Sequence, residues 1–176
     1  MSAKVNTSKL LHTGRVFNIY QDNVTLDNGI SLNMEIIRHP GASAIVAMTP
    51  KKEILLVKQY RYAVGSFIWE IPAGTFSEQE SPLECARREL VEETGYTAST
   101  WKKMGEITPV PGYSDERIHL FLARDLTKKV QNLDQDEVLV VHEIPCQEVL
   151  NLIDKGEIQD AKTLAALFLA ISLISP

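Results

Sequence analysis

The pattern of hydrophobic and polar positions predicts β-structure in the first third of the chain. The segments Val16–Leu26 and Ile30–Arg38 flank Asp27-Asn28-Gly29, and Asn-Gly is the strongest short signal for a β-hairpin. Short apolar runs rich in Val, Ile and Leu predict further strands along the chain. These strands are predicted at Ala44–Met48, Ile54–Gln59, Arg117–Ala123 and Val138–Ile144.

The clearest helical pattern lies in the middle of the chain. The tetrapeptide Ser81–Glu84 is a capping box, with Pro at the first helical position. An apolar stripe at helical spacing follows it, formed by Leu83, Ala86 and Leu90. Gly95 is a typical C-cap residue. Together these signals predict a helix over Pro82–Thr94.

Two further helices are predicted near the C-terminal end. They cover Cys146–Asp154 and Ala161–Leu173, with Gly156 as a stop signal between them. The longest apolar stretch, Leu164–Ile174, is too short to span a bilayer. Because strands and helices do not alternate in a regular βαβ order, the pattern predicts an α+β fold with a mixed sheet.

Composition narrows the class of protein. The chain has 176 residues, of which 44% are hydrophobic and 23% charged, as in one globular domain. Its formal net charge of −5 argues against nonspecific nucleic-acid binding, which needs a basic surface. The two cysteines, Cys85 and Cys146, are expected to be buried free thiols. Because the polar N-terminus lacks the apolar core of a signal peptide, we expect a soluble cytoplasmic protein without a membrane partner.

Three carboxylates break the local rules of the central helix. Glu89, Glu92 and Glu93 share one helix face, about 90° from the apolar stripe. They repel one another and lie near the helix C-terminus, where the helix dipole disfavours anions. A hard divalent cation would resolve this conflict, since Mg²⁺ and Mn²⁺ prefer oxygen ligands. The alternative interpretation is a solvated acidic face without chemistry.

The spacing around these carboxylates resembles the Nudix box, G-x5-E-x7-R-E-U-x-E-E-x-G-U, in which U is a bulky apolar residue. All its fixed positions are occupied, and a chance match has a probability of about 10⁻⁹ per start point at ordinary residue frequencies. The matching residues are Gly74, Glu80, Arg88, Glu89, Leu90, Glu92, Glu93, Gly95 and Tyr96.

The resemblance implies a Nudix α/β/α sandwich with a mixed sheet and an N-terminal antiparallel β extension. It also implies a site for Mg²⁺, with Mn²⁺ as an alternative, held by Glu89, Glu92, Glu93 and the carbonyl of Ala73. The remaining box residues have structural roles in the family and are expected to order the loop and the carboxylates. They are Gly74, Glu80, Arg88 and Gly95.

Segments outside the box resemble the ADP-ribose pyrophosphatase branch of that family. They are Gln59–Arg61, Trp69–Gly74, Pro109–Glu116 and Gly156–Thr163. This implies Mg²⁺-dependent hydrolysis of the diphosphate bond of nucleoside diphosphate sugars, with ADP-ribose to AMP and ribose 5-phosphate favoured.

Three other functions remain as alternatives at this point. GDP-mannose or another nucleotide sugar is the main alternative substrate. A noncatalytic nucleotide-sensing Nudix protein is an alternative of another class, although such proteins usually have eroded boxes. RNA decapping is disfavoured by the acidic balance of the chain.

Five residues are candidates for substrate contacts. Arg61 follows a predicted strand and has the planar donor fork that matches phosphate oxygens, although an Arg ending a strand is the structural alternative. Tyr20 or Phe17 is a candidate to stack on the nucleotide base, and the structural alternative for both is the core of the hairpin. The resemblance adds Glu70, near the site, and Arg38, which in the relatives reaches across a dimer interface.

The general base and the assembly rest on the resemblance. Glu137, in an acidic loop before the last predicted strand, is the expected base, and Glu116 is the alternative. The hairpin and the apolar last helix favour a homodimer. We expect residues 1–40 to form a hairpin extension for dimerisation and substrate contact, and residues 41–176 to form the hydrolase domain.

Overall fold

A computed structural model describes residues 3–133 and 138–174 of the chain, with side chains as far as Ile171. Proximity of Cα atoms divides the chain into two compact units. The first unit comprises Met1–Gly41 and Thr108–Arg117, and the second comprises Ala42–Ile107 and Ile118–Pro176.

The described residues contain ten strands and three helices. The strands are β1 (Lys4–Thr13), β2 (Asn18–Thr25), β3 (Ser31–Arg38), β4 (Ala42–Ala47), β5 (Glu53–Arg61), β6 (Ser66–Glu70), β7 (Ala73–Thr75), β8 (Tyr96–Ile107), β9 (Ile118–Lys128) and β10 (Leu139–Pro145). The helices are α1 (Pro82–Thr94), α2 (Cys146–Asp154) and α3 (Ala161–Ile174).

The first unit is an antiparallel sheet in the order β1-β2-β3. The predicted hairpin is confirmed: β2 and β3 pair from Asn18↔Arg38 to Thr25↔Ser31 around the Asn28-Gly29 turn. The sequence did not predict β1, which is exposed along its whole length and therefore has no buried face to produce an alternating pattern. Strand β1 forms through its backbone hydrogen bonds to β2, and these bonds leave no pattern in its sequence.

The described residues of the second unit form two sheets, and one of them is mixed. That sheet has the order β7-β4-β9-β8, and β4 runs parallel to β9 but antiparallel to β7. The other sheet, in the order β10-β5-β6, is antiparallel. The predicted α+β class with mixed pairing is confirmed.

The central strands separate two hydrophobic cores because their side chains alternate between opposite faces. In β4, Ala44 and Val46 belong to the core that includes residues of α2 and α3. Ile45 and Ala47 belong to the other core, where α1 packs through Ala86 and Leu90. Helices therefore cover both faces of the strands, which is the predicted α/β/α layering.

Helix α1 begins and ends where the sequence predicted. The Ser81 side chain accepts the Glu84 backbone N–H, and the Glu84 carboxylate accepts the Ser81 backbone N–H, so the capping box is confirmed. Gly95 closes the helix at φ 69°, a left-handed conformation that side chains with a β-carbon rarely adopt, and its N–H reaches the Val91 carbonyl.

The sequence did not predict three short or polar strands, and it misjudged one cysteine. Strands β6 and β7 are too short to show a period, and β8 is largely polar, with a register shift between Lys103 and Gly105. Cys85 is a buried free thiol as expected, and burial raises its pKa to about 12. Cys146 is only half-buried, so the prediction was wrong there.

A search of the described residues for membrane-spanning helices finds none of sufficient length and hydrophobicity.

The capping box predicts the effect of Ser81→Ala. Loss of the side-chain acceptor leaves the Glu84 N–H without its partner at the helix start, which costs about 1 kcal/mol of unfolding free energy, or roughly 2–4 °C in Tm. Thermal unfolding followed by circular dichroism measures the change. Ser77→Ala is the matched control, because Ser77 contributes its backbone N–H to Glu80. Equal Tm values for the two variants would contradict the capping role.

Candidate active site

The residues that link β6 to β7, Glu70 to Ala73, make polar contacts to four different elements of the second unit. We call them the 70–73 connection. Glu70 binds Arg61 of β5, and the Ile71 N–H donates to Thr163 Oγ1 of α3 at 2.9 Å. The Pro72 carbonyl accepts the Ile45 N–H of β4, and the Ala73 N–H donates to Glu93 Oε2 of α1, both at 2.9 Å. The connection is therefore fixed at every residue.

Gly74 follows the connection and lies against the carboxylate of Glu89. A β-carbon at position 74 would stand 1.7 Å from Glu89 Oε1 and 1.9 Å from its Cδ. Only glycine leaves room for that carboxylate in its present position. The box requires glycine at position 74 because any side chain there would collide with the Glu89 carboxylate.

Arg88 gathers three acids of the box around one guanidinium. Its Nε and Nη2 donate to the two oxygens of Glu80 at 2.8 and 2.9 Å, and Nη1 donates to Glu89 Oε1 at 2.6 Å and Glu92 Oε2 at 2.9 Å. Nη2 also reaches the Thr75 carbonyl at 3.1 Å. Hydrogen bonds from Arg88 lower the pKa of Glu80 despite partial burial. One guanidinium thus holds the three carboxylates close together.

Two of the three predicted ligand carboxylates are buried. Glu89 is 8% exposed and Glu93 2% exposed, whereas the Glu92 side chain is about one-third exposed. Ionised carboxylates are costly to bury unless charges or hydrogen bonds compensate them. A solvated acidic face does not describe Glu89 and Glu93, so that alternative is wrong for these two residues.

Arg61 and Glu70 form a bidentate ion pair next to the box. Arg61 Nε and Nη2 donate to Glu70 Oε1 and Oε2 at 2.7 and 2.8 Å, and Lys162 Nζ also reaches Glu70 Oε2 at 2.5 Å. Burial opposes ionisation of Glu70, but the hydrogen bonds from Arg61 and the charge of Lys162 hold its pKa below the usual value. The bonds to Glu70 raise the pKa of Arg61, and the nearby charge of Glu93 adds to that effect.

The start of α3 anchors this arrangement. Asp160 Oδ2 accepts the Thr163 N–H at 2.9 Å, the Thr163 hydroxyl at 2.6 Å and Lys162 Nζ at 3.0 Å. Thr163 is fully buried. Sequence reasoning missed a role for Asp160, Lys162 and Thr163, although it singled out the Gly156–Thr163 segment as part of the resemblance.

Four predicted site residues belong to the first unit. Arg38 donates to Asp22 at 2.6 Å and to Asp115 at 3.2 Å, so two acids hold its guanidinium. Tyr20 lies half-buried on β2, and Phe17, just before that strand, is 39% exposed. Glu116 lies 3.8 Å from Nδ1 of His39.

The expected base, Glu137, lies outside the described residues, but both ends of its loop are described. At one end, the Asn132 N–H donates to the Glu92 carbonyl of α1 at 3.1 Å. At the other end, the Val138 carbonyl, directly after Glu137 in the chain, accepts the Tyr60 N–H at 3.1 Å. Asn132 is therefore bonded to the box helix, and Val138 to the residue that precedes Arg61.

The geometry provides a concentration of anionic oxygens. In residues 3–133 and 138–174, no three His, Cys, Asp or Glu side chains already stand as a preformed metal site. Here Arg88 and the Ala73 N–H hold the carboxylates. A site of this kind can hold a cation when the carboxylates turn from Arg88, and Arg61 offers donors for a phosphate.

Comparisons with known proteins place the chain in a family. The NUDIX domain profile matches residues 37–167, which is most of the chain. The chain therefore belongs to the NUDIX family.

Three curated relatives cover most of the chain. It is 38% identical over 169 residues to an ADP-ribose pyrophosphatase of Bacillus subtilis, covering 95% of this chain and 91% of the relative. It is 39% identical over 165 residues to a methanol dehydrogenase activator of Bacillus methanolicus, covering 93% and 89%. It is 34% identical over 151 residues to a GDP-mannose pyrophosphatase of Escherichia coli, covering 76% and 78%.

A solved structure confirms the fold. The crystal structure of an ADP compounds hydrolase aligns with a TM-score of 0.86 and covers 99% of this chain and 95% of that chain, at 21% identity. The expected Nudix architecture is therefore correct.

NUDIX hydrolases generally use divalent metal ions, and the residues present here fit such an ion. The box supplies three carboxylates, Glu89, Glu92 and Glu93, and carboxylate oxygens are the ligands that hard cations prefer. Because Gly74 has no side chain, the Glu89 carboxylate can lie directly against the backbone at position 74. The Ala73 N–H orients the Glu93 carboxylate, as an outer partner of a metal ligand does, whereas Arg88 would have to release Glu89 and Glu92 to a cation.

The contact between Gly74 and Glu89 predicts the effect of Gly74→Ala. The new methyl group displaces the Glu89 carboxylate, which lies at the end of a flexible side chain, so the fold is kept while Mn²⁺ affinity falls roughly tenfold or more. Calorimetric titration with Mn²⁺ measures this. Gly112→Ala is the control, because a β-carbon there meets nothing within 4 Å. Unchanged Mn²⁺ affinity in Gly74→Ala would refute the spatial role.

The lowered pKa of Glu70 predicts a pH dependence of stability. A carboxyl whose folded-state pKa lies below its ordinary value of 4.5 stabilises the fold above that pH, and the contribution is lost as pH falls through the folded value. Glu70→Gln should be less stable than the wild type at neutral pH, and the two curves should converge in acid. Urea unfolding at a series of pH values measures both, and a constant gap would contradict the ion pair as the cause.

Proposed function

We propose that this NUDIX protein hydrolyses the diphosphate bond of nucleoside diphosphate sugars, with ADP-ribose converted to AMP and ribose 5-phosphate as the favoured reaction. The observation that carries the proposal is the burial of Glu89 and Glu93 beside the 70–73 connection. Arg61 lies close enough to this pair that the charge of Glu93 contributes to the raised pKa of Arg61. The names of relatives that match most of the chain support the substrate class.

The metal of this reaction is proposed to be Mg²⁺, with Mn²⁺ as a substitute. Glu89, Glu92, Glu93 and the Ala73 carbonyl would hold it. When bound, such an ion offsets the negative charge of a diphosphate and lowers the pKa of water. The chain's own contribution is to hold these carboxylates close together through hydrogen bonds from Arg88 and the Ala73 N–H.

Arg61 is the proposed phosphate contact. Glu70 fixes one edge of its guanidinium, while the side chain keeps 42% exposure. An Arg held in this way offers its remaining N–H groups to phosphate oxygens in a fixed direction, which favours binding and orientation of the diphosphate. In this proposal Glu70 binds no substrate atom and serves to hold Arg61.

Glu137 is the proposed general base, and Glu116 is the alternative. The described residues on either side of the Glu137 loop in the chain support this: Asn132 bonds to the Glu92 carbonyl, and Val138 accepts the Tyr60 N–H. A carboxylate in that loop can accept the proton of the attacking water.

The nucleotide sugar could also be GDP-mannose, as one relative's name suggests. The base of the nucleotide would stack on Tyr20 or Phe17, which are at least partly accessible. A noncatalytic nucleotide sensor is disfavoured by the complete box and the names of the relatives.

We also propose a cytoplasmic homodimer in which residues 1–40 serve dimerisation and bring Arg38 to the partner's site. Two exposed surfaces support self-association. Within the described residues, β1 is an edge strand with exposed Val5, Leu10 and Leu11, and edge strands readily pair with another chain. On α3, Phe168 is 75% exposed. Residues 41–176 are the proposed hydrolase domain.

A substrate panel tests the proposal. The protein is incubated with ADP-ribose, GDP-mannose or NADH and with Mg²⁺ or Mn²⁺, and the products are separated by ion-exchange chromatography. We expect AMP and ribose 5-phosphate from ADP-ribose at the highest kcat/KM. Turnover of none of these compounds would overturn the proposal, and faster turnover of GDP-mannose would change the substrate.

The metal-ligand assignment predicts the effect of Glu93→Gln. Removing one ligand charge should lower kcat by roughly 10²- to 10³-fold or more. Stability without metal should not fall, because repulsion from Glu89 is relieved and the amide oxygen can still accept the Ala73 N–H. Steady-state kinetics and thermal unfolding in EDTA measure the two effects. Glu78→Gln, on the exposed loop before α1, is the control, and a Glu93→Gln variant with full activity would refute the assignment.

The two candidate bases are separated by Glu137→Gln and Glu116→Gln. If Glu137 is the base, its variant should lose about 10²- to 10⁴-fold in kcat and keep its metal affinity. Glu116→Gln should then remain active. Rates at saturating ADP-ribose and Mn²⁺ titrations measure both properties, and the reverse result would move the base to Glu116.

A further inference from the structure

The Asp160–Thr163 segment carries an arrangement to which the proposed function assigns no role. It opens α3, and two of its side chains reach the 70–73 connection: Thr163 accepts the Ile71 N–H and Lys162 binds Glu70. Asp160 holds both of them through one carboxylate oxygen. The segment therefore forms a second fixed support for the residues that hold Arg61.

Lys162 shares one carboxylate oxygen with Arg61. Its Nζ lies 2.5 Å from Glu70 Oε2, and Arg61 Nη2 lies 2.8 Å from the same atom. The Lys162 side chain is 13% exposed and the Glu70 side chain 2% exposed, so solvent competes little for these bonds. A charge-assisted bond of this kind fixes the direction of the carboxylate.

Neutrality alone does not explain Lys162. Arg61 already balances the charge of Glu70, and Asp160 balances the charge of Lys162. What Lys162 adds is a bond from α3 that limits rotation of the Glu70 carboxylate, whose other partner comes from β5. Because Arg61 binds Glu70 through two parallel bonds, the plane of the carboxylate sets the plane of the guanidinium.

We propose that Lys162 is a positioning residue for the diphosphate substrate, because it locks Glu70 and thereby fixes the edge that Arg61 presents to a phosphate. The inference rests on the proposed function for the identity of the substrate. The coupling of Lys162 to Arg61 through Glu70 is independent of the proposed function.

The kinetic test is a double-mutant cycle with ADP-ribose. Lys162→Met should lower kcat/KM about 10- to 100-fold, mainly through KM, because a loosened Arg61 still lies beside the site. Lys162→Arg should restore most of the loss, and Lys155→Met, an exposed residue after α2, should have no effect. In an Arg61→Gln background, Lys162→Met should cause less than about twofold further loss.

The second arm of the test needs no substrate. The Arg61 Nε–H signal in a ¹H–¹⁵N NMR spectrum is assigned by its absence in Arg61→Gln. In the wild type its bond to Glu70 should slow exchange with water. Lys162→Met should accelerate that exchange about tenfold, and Lys162→Arg should return it towards the wild-type rate.

The outcomes separate the two proposals. If Lys162→Met leaves the Arg61 signal unchanged, or lowers kcat/KM equally in wild-type and Arg61→Gln backgrounds, the positioning role is overturned. If the wild type does not act on ADP-ribose, the proposed function fails while the NMR result still decides the coupling. If the double variant does not fold, the exchange rate in Lys162→Met alone gives the decision.

Discussion

The site depends on a pair of buried carboxylates, Glu89 and Glu93, in the C-terminal half of α1. Glu89 and Glu93 lie where both solvent and the helix dipole fail to stabilise an anion. Hydrogen bonds from Arg88 and from the Ala73 backbone compensate that cost, and Gly74 supplies the space that Glu89 occupies. The bonds of Arg88 and of the 70–73 connection meet at this pair, while the packing of Ala86 and Leu90 holds α1 against the strands.

The same connection joins the acidic and basic halves of the site. At one end it carries Glu70, which holds Arg61, and at the other it carries Ala73, which holds Glu93. Between these ends, the bonds of Ile71 to Thr163 and of Pro72 to Ile45 hold the chain in place. In the proposed site, the start of α3 therefore supports Arg61, the proposed phosphate contact, from far along the sequence.

The sequence predicts well what depends on local rules. The bounds of α1 follow from Ser81, Pro82 and Gly95, and the hairpin turn follows from Asn28-Gly29. It predicts poorly what depends on distant partners. Strand β1 has no buried face, and the Lys162–Glu70 pair joins residues 92 positions apart, so neither leaves a periodic signal. The conflict with helix rules and the spacing of the box both singled out the carboxylates. Only the folded chain shows which groups compensate the cost of burying them.

The most direct test of the account is the binding of Mn²⁺ measured by electron paramagnetic resonance, with ADP present as the diphosphate. The account predicts saturable loss of the free Mn²⁺ signal with the wild type. A variant that carries both Glu89→Gln and Glu93→Gln, confirmed as folded by circular dichroism, should bind Mn²⁺ at least about tenfold more weakly. Equal Mn²⁺ affinity in the two proteins would contradict the claim that these buried carboxylates are held in place for a divalent cation.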